Sequence, residues 1–286
     1  MLTTFEPCPA SAQAPLAGEP FDRWINPDGD VTAEFRRIPG GYLARFPGQG
    51  DFSISLDNMH VRGTPDEETP LSVIETLYRN SIEPIVVNHL GGLSLHGSAV
   101  ATPHGAIAFI GLSRSGKTTL SGAFARAGHP FLTEDVLSLT TDRTKGGRGY
   151  LVQPQRPVLR LFHDSAEFLL GADPGWEEDE TKQELAAGTA IPFSDQPAPL
   201  AAICLLGPGE TEGISLTRLG PAEALSQLIR HAFVLDVEDR ARLAGHFGRL
   251  GELAALVPCH ALDYPRSYAQ LPGVIGAVLE RVQQGG

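Results

Sequence analysis

One segment near the middle of the chain combines glycines, a lysine and a hydroxyl at fixed spacing. It reads Gly-Leu-Ser-Arg-Ser-Gly-Lys-Thr from Gly111 to Thr118 and matches the pattern GxxxxGK[ST]. In such a loop the glycines let backbone N–H groups turn toward phosphate oxygens, the lysine reaches the terminal phosphates, and the hydroxyl can hold Mg²⁺. A strand-like apolar run precedes the segment and a helical pattern follows it, as this loop requires. The sequence therefore predicts a nucleotide site, against the alternatives of a chance match or a loop that merely turns a strand into a helix.

The nucleotide contacts are predicted to come from the loop and from the threonine after it. The backbone amides from 113 to 118 would cradle the β-phosphate, and Lys117 would neutralise the γ-phosphate. Arg114 occupies a position where such loops often carry a small residue, so it either touches phosphate or ribose or points into water. The predicted contact residues are Gly111, Ser113, Arg114, Ser115, Gly116, Lys117, Thr118 and Thr119.

Two adjacent carboxylates, Glu134 and Asp135, follow the next predicted strand. The carboxyl end of that strand lies where the loop also opens. One carboxylate can hold Mg²⁺ and the other can accept a proton from an attacking hydroxyl. The alternative is a solvated pair in a turn.

Three further side chains could assist this chemistry. His96 precedes the hairpin that feeds the loop strand, although strand alternation alone would make it a core or rim histidine. Arg160 and Lys182 could place positive charge against the transferred phosphate. Arg160 could instead pair with Asp164 at helical spacing, and Lys182 could merely offset the acidic run from Glu177 to Glu180.

The elements that must position these residues have the order of an α/β core. Apolar segments predict strands at 93–100, 106–110, 131–133, 136–140, 200–206 and 259–262. Helical spacing predicts helices at 118–127, 237–247 and 251–256. Strand, glycine-rich turn, helix and strand is the order of a mononucleotide-binding unit. Short segments between 24 and 62 predict a small antiparallel sheet, and residues 71–90 predict a helix interrupted at Pro84. The stretch from 171 to 189, which contains Trp176, lacks periodicity and is predicted to be a long exposed loop.

Composition limits the class of protein. The chain has 286 residues and a net charge of -12, from 22 Lys and Arg against 34 Asp and Glu, which disfavours nucleic acid and anionic membranes as partners. Its three cysteines form no CxxC pair, so neither a disulfide scaffold nor a zinc site is indicated. No apolar run approaches the roughly 20 residues that span a bilayer, and no secretory signal is present. We therefore predict a cytoplasmic protein.

Three segments together resemble the catalytic core of the HPr kinase/phosphorylase family. They are Leu95-His96-Gly97-Ser98-Ala99-Val100, Gly111 to Thr119, and Thr133-Glu134-Asp135. Beyond the core, Gln153-Pro154, Pro157 to Leu161 and Pro221 to Leu225 resemble the smaller HPr-kinase-related proteins of bacterial biosynthetic clusters. Some of those resemble serine kinases that act on the C-terminal residue of lasso-peptide precursors. The resemblance covers the chain from Trp24 onward, and only the loop is a specific motif.

The resemblance implies a fold and a division into domains. The fold class is α/β, with a phosphoenolpyruvate-carboxykinase-like P-loop core, a mixed sheet and a small N-terminal β-rich lobe. We predict a flexible tail at 1–20, the β-rich lobe with a linking helix at 21–90, and the P-loop catalytic domain at 91–286.

The resemblance also implies roles for individual residues. Lys117 and Thr118 correspond to the triphosphate and metal contacts, Glu134 and Asp135 to the paired acids, and His96 to the histidine beside the transferred phosphate. Glu134 stands where the relatives usually have Asp. Asp135 is the preferred metal ligand beside Thr118 and Glu134 the preferred base, although these two roles could be reversed.

The predicted function is that of a kinase. It would use ATP and Mg²⁺ to phosphorylate a serine of a peptide or small protein, such as the C-terminal residue of a lasso-peptide precursor. The alternatives are a nucleotide-binding regulatory protein without phosphoryl transfer and a small-molecule kinase. No match is found to the C-terminal signature that true HPr kinase/phosphorylases use for docking and phosphorolysis, which argues against a role in regulating carbon metabolism. A homo-oligomer is left open.

Overall fold

The structure is a computed structural model that describes residues 4–26, 28–57, 59–176 and 181–284. The chain divides into two compact units, Met1–Gly92 with Phe233–His246, and Leu93–Ala232 with Phe247–Gly286. This division differs from the predicted one because the segment Phe233–His246 joins the N-terminal residues. Within the described chain, no helix is both long enough and apolar enough to cross a membrane.

The first unit is built on a six-stranded sheet in the order β1-β6-β5-β4-β3-β2. Its strands are β1 (Thr4–Pro7), β2 (Asp22–Ile25), β3 (Val31–Ile38), β4 (Gly41–Phe46), β5 (Gly50–Ser55) and β6 (His60–Pro65). Alternate residues of β4 are buried, as expected for a sheet with one face on a core. The small antiparallel sheet predicted from the sequence is therefore larger than expected.

A flexible tail is predicted at 1–20, but residues 4–7 of this segment form strand β1, which pairs with β6 in parallel. The ring of Phe5 stacks on that of Tyr78 with centroids 4.2 Å apart, which anchors the strand. Four residues among prolines and alanines are too few to show strand alternation, so the sequence carried no signal for β1.

The helix predicted at 71–90 consists of α1 (Leu71–Leu77), a π-helical turn (Tyr78–Ile82) and α2 (Glu83–His89). The interruption therefore begins before Pro84. Pro84 is the second residue of α2, which directly follows the π-helical turn.

The second unit contains a mixed sheet in the order β11-β10-β7-β8-β14-β16-β15, with β9 beside β7, and a separate ribbon of β12 and β13. Its strands are β7 (Leu93–Thr102), β8 (Gly105–Ile110), β9 (Phe131–Thr133), β10 (Val136–Thr141), β11 (Tyr150–Val152), β12 (Val158–Leu161), β13 (Gln183–Ala186), β14 (Ala198–Leu206), β15 (Ser215–Arg218) and β16 (Cys259–Asp263). Helices are α3 (Lys117–Arg126), α4 (His163–Leu170), α5 (Pro221–Ile229), α6 (Arg240–Leu256), which starts in the first unit, and α7 (Leu271–Gln284). The architecture is α/β with several sheets.

Strand β8 is buried on both faces because helices cover both sides of this sheet. Ala106, Ala108 and Ile110 belong to the apolar cluster that includes α5 and the C-terminal part of α6. Ile107 and Phe109 belong to the cluster that includes α3, α4 and α7. Since β8, β14 and β16 are mutually parallel, their carboxyl ends meet at one edge.

Two predictions for the second half of the chain need correction. The stretch 171–189 is not all exposed loop, because β13 pairs with β12 and Trp176 packs against an apolar cluster. The acidic run 177–180 lies outside the described residues. Separate helices predicted at 237–247 and 251–256 form the single helix α6, in which Gly248 and Gly251 remain helical.

Candidate functional site

The loop from Gly111 to Gly116 connects β8 to α3, as its sequence pattern predicts. A Cβ atom at Gly111 would lie 2.7 Å from Ser115 Oγ, so a larger residue would disturb the loop. Gly116 has φ +89°, a left-handed conformation that favours glycine. Arg114 also has positive φ, at 63°, and is exposed, with its guanidinium 5.7 Å from the Phe162 ring centroid.

The Lys117 side chain folds back across this loop. Its Nζ donates to the carbonyl oxygens of Gly111 and Leu112, both at 2.8 Å. Burial lowers the pKa of Lys117 to about 8. The ammonium is therefore held inside the loop, where phosphate oxygens could replace the two carbonyl groups as partners.

The acidic pair lies in the turn between β9 and β10, two strands that both pair with β7. Thr118 Oγ1 donates to Glu134 Oε1 at 3.0 Å, and Lys182 Nζ is 3.9 Å from the same oxygen. The Glu134 side chain is 7% exposed, and burial, followed by the charge of Asp135, raises its pKa to about 8.

Asp135 has a different set of contacts. Its φ is 63°, and its Oδ2 accepts from Arg160 Nη1 at 3.3 Å. The structure thus places the Glu134 carboxylate next to Thr118, whereas the sequence predicted Asp135 as the metal ligand beside that threonine. Arg160 contacts Asp135 and not Asp164, whose Oδ2 accepts from Tyr268 at 2.7 Å.

His96 lies on β7 opposite Val136, the first residue of β10. Burial and the nearby charge of Lys117 lower its pKa to about 4, opposed by the carboxylate of Asp135 and a hydrogen bond to the Asp135 backbone. The backbone N–H of His96 donates to the carbonyl oxygen of His231 at 2.8 Å. Burial, followed by His96, lowers the pKa of His231 to about 4. Sequence reasoning missed His231, which follows α5 without any recognisable pattern.

A cavity of about 1240 Å³ joins most of the predicted residues. The predicted residues that line it are His96, Ser113, Arg114, Gly116, Lys117, Thr118, Thr119, Asp135, Arg160 and Lys182. Gly111, Ser115 and Glu134 are not part of its lining. One cavity thus reaches from the loop to one member of the acidic pair.

Further cavity residues were not found from the sequence. They are Phe162, Asp164 and Ser165 at the start of α4, and Tyr264, Arg266 and Tyr268 after β16. A signal existed for the second group, because β16 was predicted and its carboxyl end meets that of β8. The first group had no such signal.

The cavity is locally basic. Among the described residues that line it, five carry positive charge and three carry negative charge. The cations are Arg114, Lys117, Arg160, Lys182 and Arg266, and the anions are Asp135, Asp164 and Glu167. This local excess of positive charge is opposite in sign to the net charge of -12 on the whole chain.

Oxygen donors suited to Mg²⁺ meet at the base of the loop. The Thr118 hydroxyl and the Glu134 carboxylate are in contact, and both are oxygen ligands of the kind that Mg²⁺ prefers. Among the described residues, no group of three or more His, Cys, Asp and Glu side chains is arranged to hold a metal. Mg²⁺ is commonly bound by only one or two carboxylates together with substrate phosphates, so the pair fits this ion.

Comparison with family models and with curated proteins gives no match to the sequence. Comparison with solved structures finds a likeness to the Hpr(Ser) kinase/phosphatase from Coxiella burnetii, with a TM-score of 0.36 and 11% sequence identity. The match covers 68% of this chain and 99% of that chain. At this identity the likeness is a distant one of fold.

Proposed function

We propose that this chain is a phosphotransferase that requires Mg²⁺ and moves the γ-phosphoryl group of ATP to a hydroxyl. The observation that carries the proposal is the 3.0 Å contact between Thr118 and Glu134 beside the buried Lys117. It places a hydroxyl, a carboxylate and an ammonium at the start of one helix, next to a basic cavity. Positioning and electrostatic stabilisation supply most of the catalysis in phosphoryl transfer.

The loop would hold the nucleotide. Backbone N–H groups between Ser113 and Thr118 would donate to the β-phosphate, and the start of α3 adds a favourable dipole. Lys117 would exchange its two carbonyl partners for phosphate oxygens, and those negative charges would keep it protonated despite its lowered pKa.

Thr118 and Glu134 would hold the metal ion. When bound, Mg²⁺ neutralises charge on the transferring phosphates. Glu134 accepts the hydrogen bond of the Thr118 hydroxyl, so we assign the metal to Glu134 and not to Asp135.

Asp135 would act as the base. Its carboxylate lines the cavity, where an acceptor hydroxyl could approach. The hydroxyl oxygen would form the new bond to the γ-phosphorus, its proton would pass to Asp135, and the bond to the leaving ADP would break. His96, hydrogen-bonded to the Asp135 backbone, would hold this turn in place. Arg160 and Lys182 would stabilise charge on the transferred group.

For the acceptor we propose a serine of a peptide or small protein, such as the C-terminal residue of a lasso-peptide precursor. The sequence resemblance supports this choice. The net charge of -12 favours an acceptor that is neutral or basic near its docking site.

Transfer of radiolabelled γ-phosphate tests the chemistry. We expect Glu134→Gln and Asp135→Asn each to reduce transfer by about 100-fold or more, while ATP binding stays measurable. Glu210→Gln is the matched control, because Glu210 is exposed and lies outside the cavity lining. Full transfer in both site variants would refute the assigned chemistry. ATP binding without transfer to any acceptor would favour a regulatory protein.

Mass spectrometry tests the acceptor. Peptides ending in serine, and the same peptides ending in alanine, are incubated with ATP, Mg²⁺ and the full chain. One added phosphate on the serine peptides alone is expected. Phosphate on small alcohols but on no peptide would identify a small-molecule kinase instead.

A further inference from the structure

A second cavity, of about 630 Å³, lies in the same unit at the amino ends of its parallel strands. Its lining includes His104 before β8, Pro199 to Ala202 in β14, and Pro258 and His260 at the start of β16. The loop from Gly111 to Gly116, which we call the glycine loop, follows the carboxyl end of β8. Among the described residues, the two cavities share no lining residue. This second cavity is therefore separate from the proposed active site.

The second cavity is lined by cations. Arg218 of β15 lies opposite His260 in the register of β15 and β16, and Arg281 lies in the last turn of α7. No Asp or Glu occurs among the described residues of the lining. Neither arginine forms an ion pair with a described residue. Two guanidinium groups that have no ion-pair partner within the described part of the chain favour a bound anion beside this cavity.

His260 provides a second, independent observation. The residue is only 3% exposed, and its Nε2 has no hydrogen-bond partner among the described residues. Buried polar atoms are normally paired, and an exception calls for a missing partner such as water or an ion. Burial, with Arg218 and Arg281, lowers the pKa of His260. A neutral imidazole still has one N–H to donate.

We propose that this cavity binds a phosphate group, with Arg218 and Arg281 as its charged contacts and His260 as a hydrogen-bond donor. Guanidinium groups bind phosphate oxygens through two parallel hydrogen bonds. The group could belong to inorganic phosphate or to a phosphorylated small molecule, because cavities of roughly 300–1,000 Å³ hold whole small ligands.

Calorimetric titration of the full chain tests the site, with inorganic phosphate and glucose 6-phosphate as probes. The titrations are done in a Lys117→Met chain, so that phosphate binding at the glycine loop is weakened, and the arginine variants are compared in that same chain. We expect binding that falls by about tenfold or more when Arg218→Gln and Arg281→Gln are added together. Arg148→Gln, at an exposed arginine outside both cavities, should change nothing.

Ring proton signals of His260, assigned by their loss in His260→Gln, give a second readout. The chemical shifts of these signals should change when either probe is added to the Lys117→Met chain. Equal affinity for the two probes would indicate free phosphate as the ligand, and tighter binding of glucose 6-phosphate would indicate a phosphate ester. Binding unchanged in the double arginine variant, or His260 signals that do not move, would overturn the proposal. Both arginines are exposed, so these variants should fold.

Discussion

Glu134 and Asp135 are adjacent in the chain but contact different partners. Glutamate at 134 has one methylene more than aspartate, and its Oε1 lies 3.0 Å from the Thr118 hydroxyl. Asp135, next in the chain, is turned toward Arg160 by a left-handed backbone conformation. The two carboxylates are therefore not equivalent, and variants can separate their proposed roles.

Shortening Glu134 should weaken the metal site. In Glu134→Asp the carboxylate should no longer reach Thr118, so we expect the Mg²⁺ concentration for half-maximal transfer to rise by about tenfold or more. Asp135→Asn should instead lower kcat with little change in the Mg²⁺ requirement. Steady-state kinetics over a range of Mg²⁺ concentrations measure both quantities. If Asp135→Asn changed the Mg²⁺ requirement and Glu134→Asp lowered only kcat, Asp135 would be the metal ligand and Glu134 the base.

Removing the positive charge of Arg160 or Lys182 should slow transfer. Each lies within 4 Å of an acidic side chain of the site, at 3.3 Å from Asp135 Oδ2 and 3.9 Å from Glu134 Oε1 respectively. If they stabilise the transition state, Arg160→Gln and Lys182→Gln should lower kcat by about 100-fold and leave the Kd for ATP nearly unchanged.

Arg156→Gln is the matched control for these two variants. Arg156 precedes β12 and pairs with Glu184 of β13 at 3.0 Å. A surface ion pair of this kind contributes little. A similar loss of kcat in Arg156→Gln would show that damage to the ribbon, and not loss of charge at the site, slows the reaction.

Among the elements, β7 connects the parts of the site. It pairs with β8, which leads into the glycine loop, and with β9 and β10, whose turn carries the acidic pair. Gly97 lies in β7 directly after His96. A Cβ atom there would be 2.9 Å from the backbone oxygen of Phe109, so β7 and β8 could not keep their present separation.

Gly97→Ala should therefore disturb both stability and nucleotide binding. Overpacking at a buried strand typically costs about 1–3 kcal/mol. We expect a loss of this size in the free energy of unfolding, measured with denaturant, together with weaker ATP binding. Gly213→Ala, where a Cβ atom would meet nothing within 4 Å, is the control. Unchanged stability in Gly97→Ala would show that the two strands can separate without cost.

A buried carboxylate fixes one segment of the first unit to its sheet. Asp236 is 3% exposed and accepts from Arg37 Nη2 at 2.7 Å and from Tyr42 Oη at 2.9 Å. Although burial opposes ionisation, the hydrogen bond from Arg37 and the other donors lower the pKa of Asp236 to about 2. The folded state thus holds the ionised form more strongly than the unfolded chain does.

The stability that Asp236 contributes should depend on pH. Its carboxyl has a depressed pKa, so this contribution is complete above the unfolded pKa of about 3.9 and is lost as the pH falls toward 2. Asp236→Asn should cost about 1–3 kcal/mol at pH 7, and the difference from wild type should shrink below pH 4. Denaturant unfolding at several pH values measures this. Glu238→Gln should cost far less, because the Glu238 side chain is 61% exposed. A difference that stays constant down to pH 2 would exclude ionisation as the cause.

The sequence predicted elements well where local pattern and burial agree. The strand before the loop, the loop itself and the helix after it have the predicted order, since apolar runs and glycines act over short distances. Elements that depend on a distant partner were missed. Strand β1 is held by β6, and β13 by β12, and neither has an apolar pattern of its own. Likewise Tyr268 and His231 reach the site region through tertiary folding alone.

At the scale of the whole molecule, charge is distributed unevenly. The chain carries a net charge of -12, yet among the described residues that line each cavity the cations outnumber the anions. Phosphate groups can therefore be bound locally in a protein whose overall field repels polyanions. Short-range contacts with backbone amides, Lys117 and arginines would provide the affinity.

Binding of ATP with Mg²⁺ should stabilise the whole chain. A ligand that binds only the folded state adds RT ln(1 + [L]/Kd), about 2.7 kcal/mol at a hundredfold excess over Kd. We expect the unfolding temperature to rise with nucleotide concentration in the wild-type protein and in Arg148→Gln, and to stay constant in Lys117→Met. An equal rise in Lys117→Met would locate the nucleotide away from the glycine loop. Because a regulatory protein would show the same stabilisation, this measurement tests nucleotide binding alone, and the transfer assay with Asp135→Asn tests the chemistry.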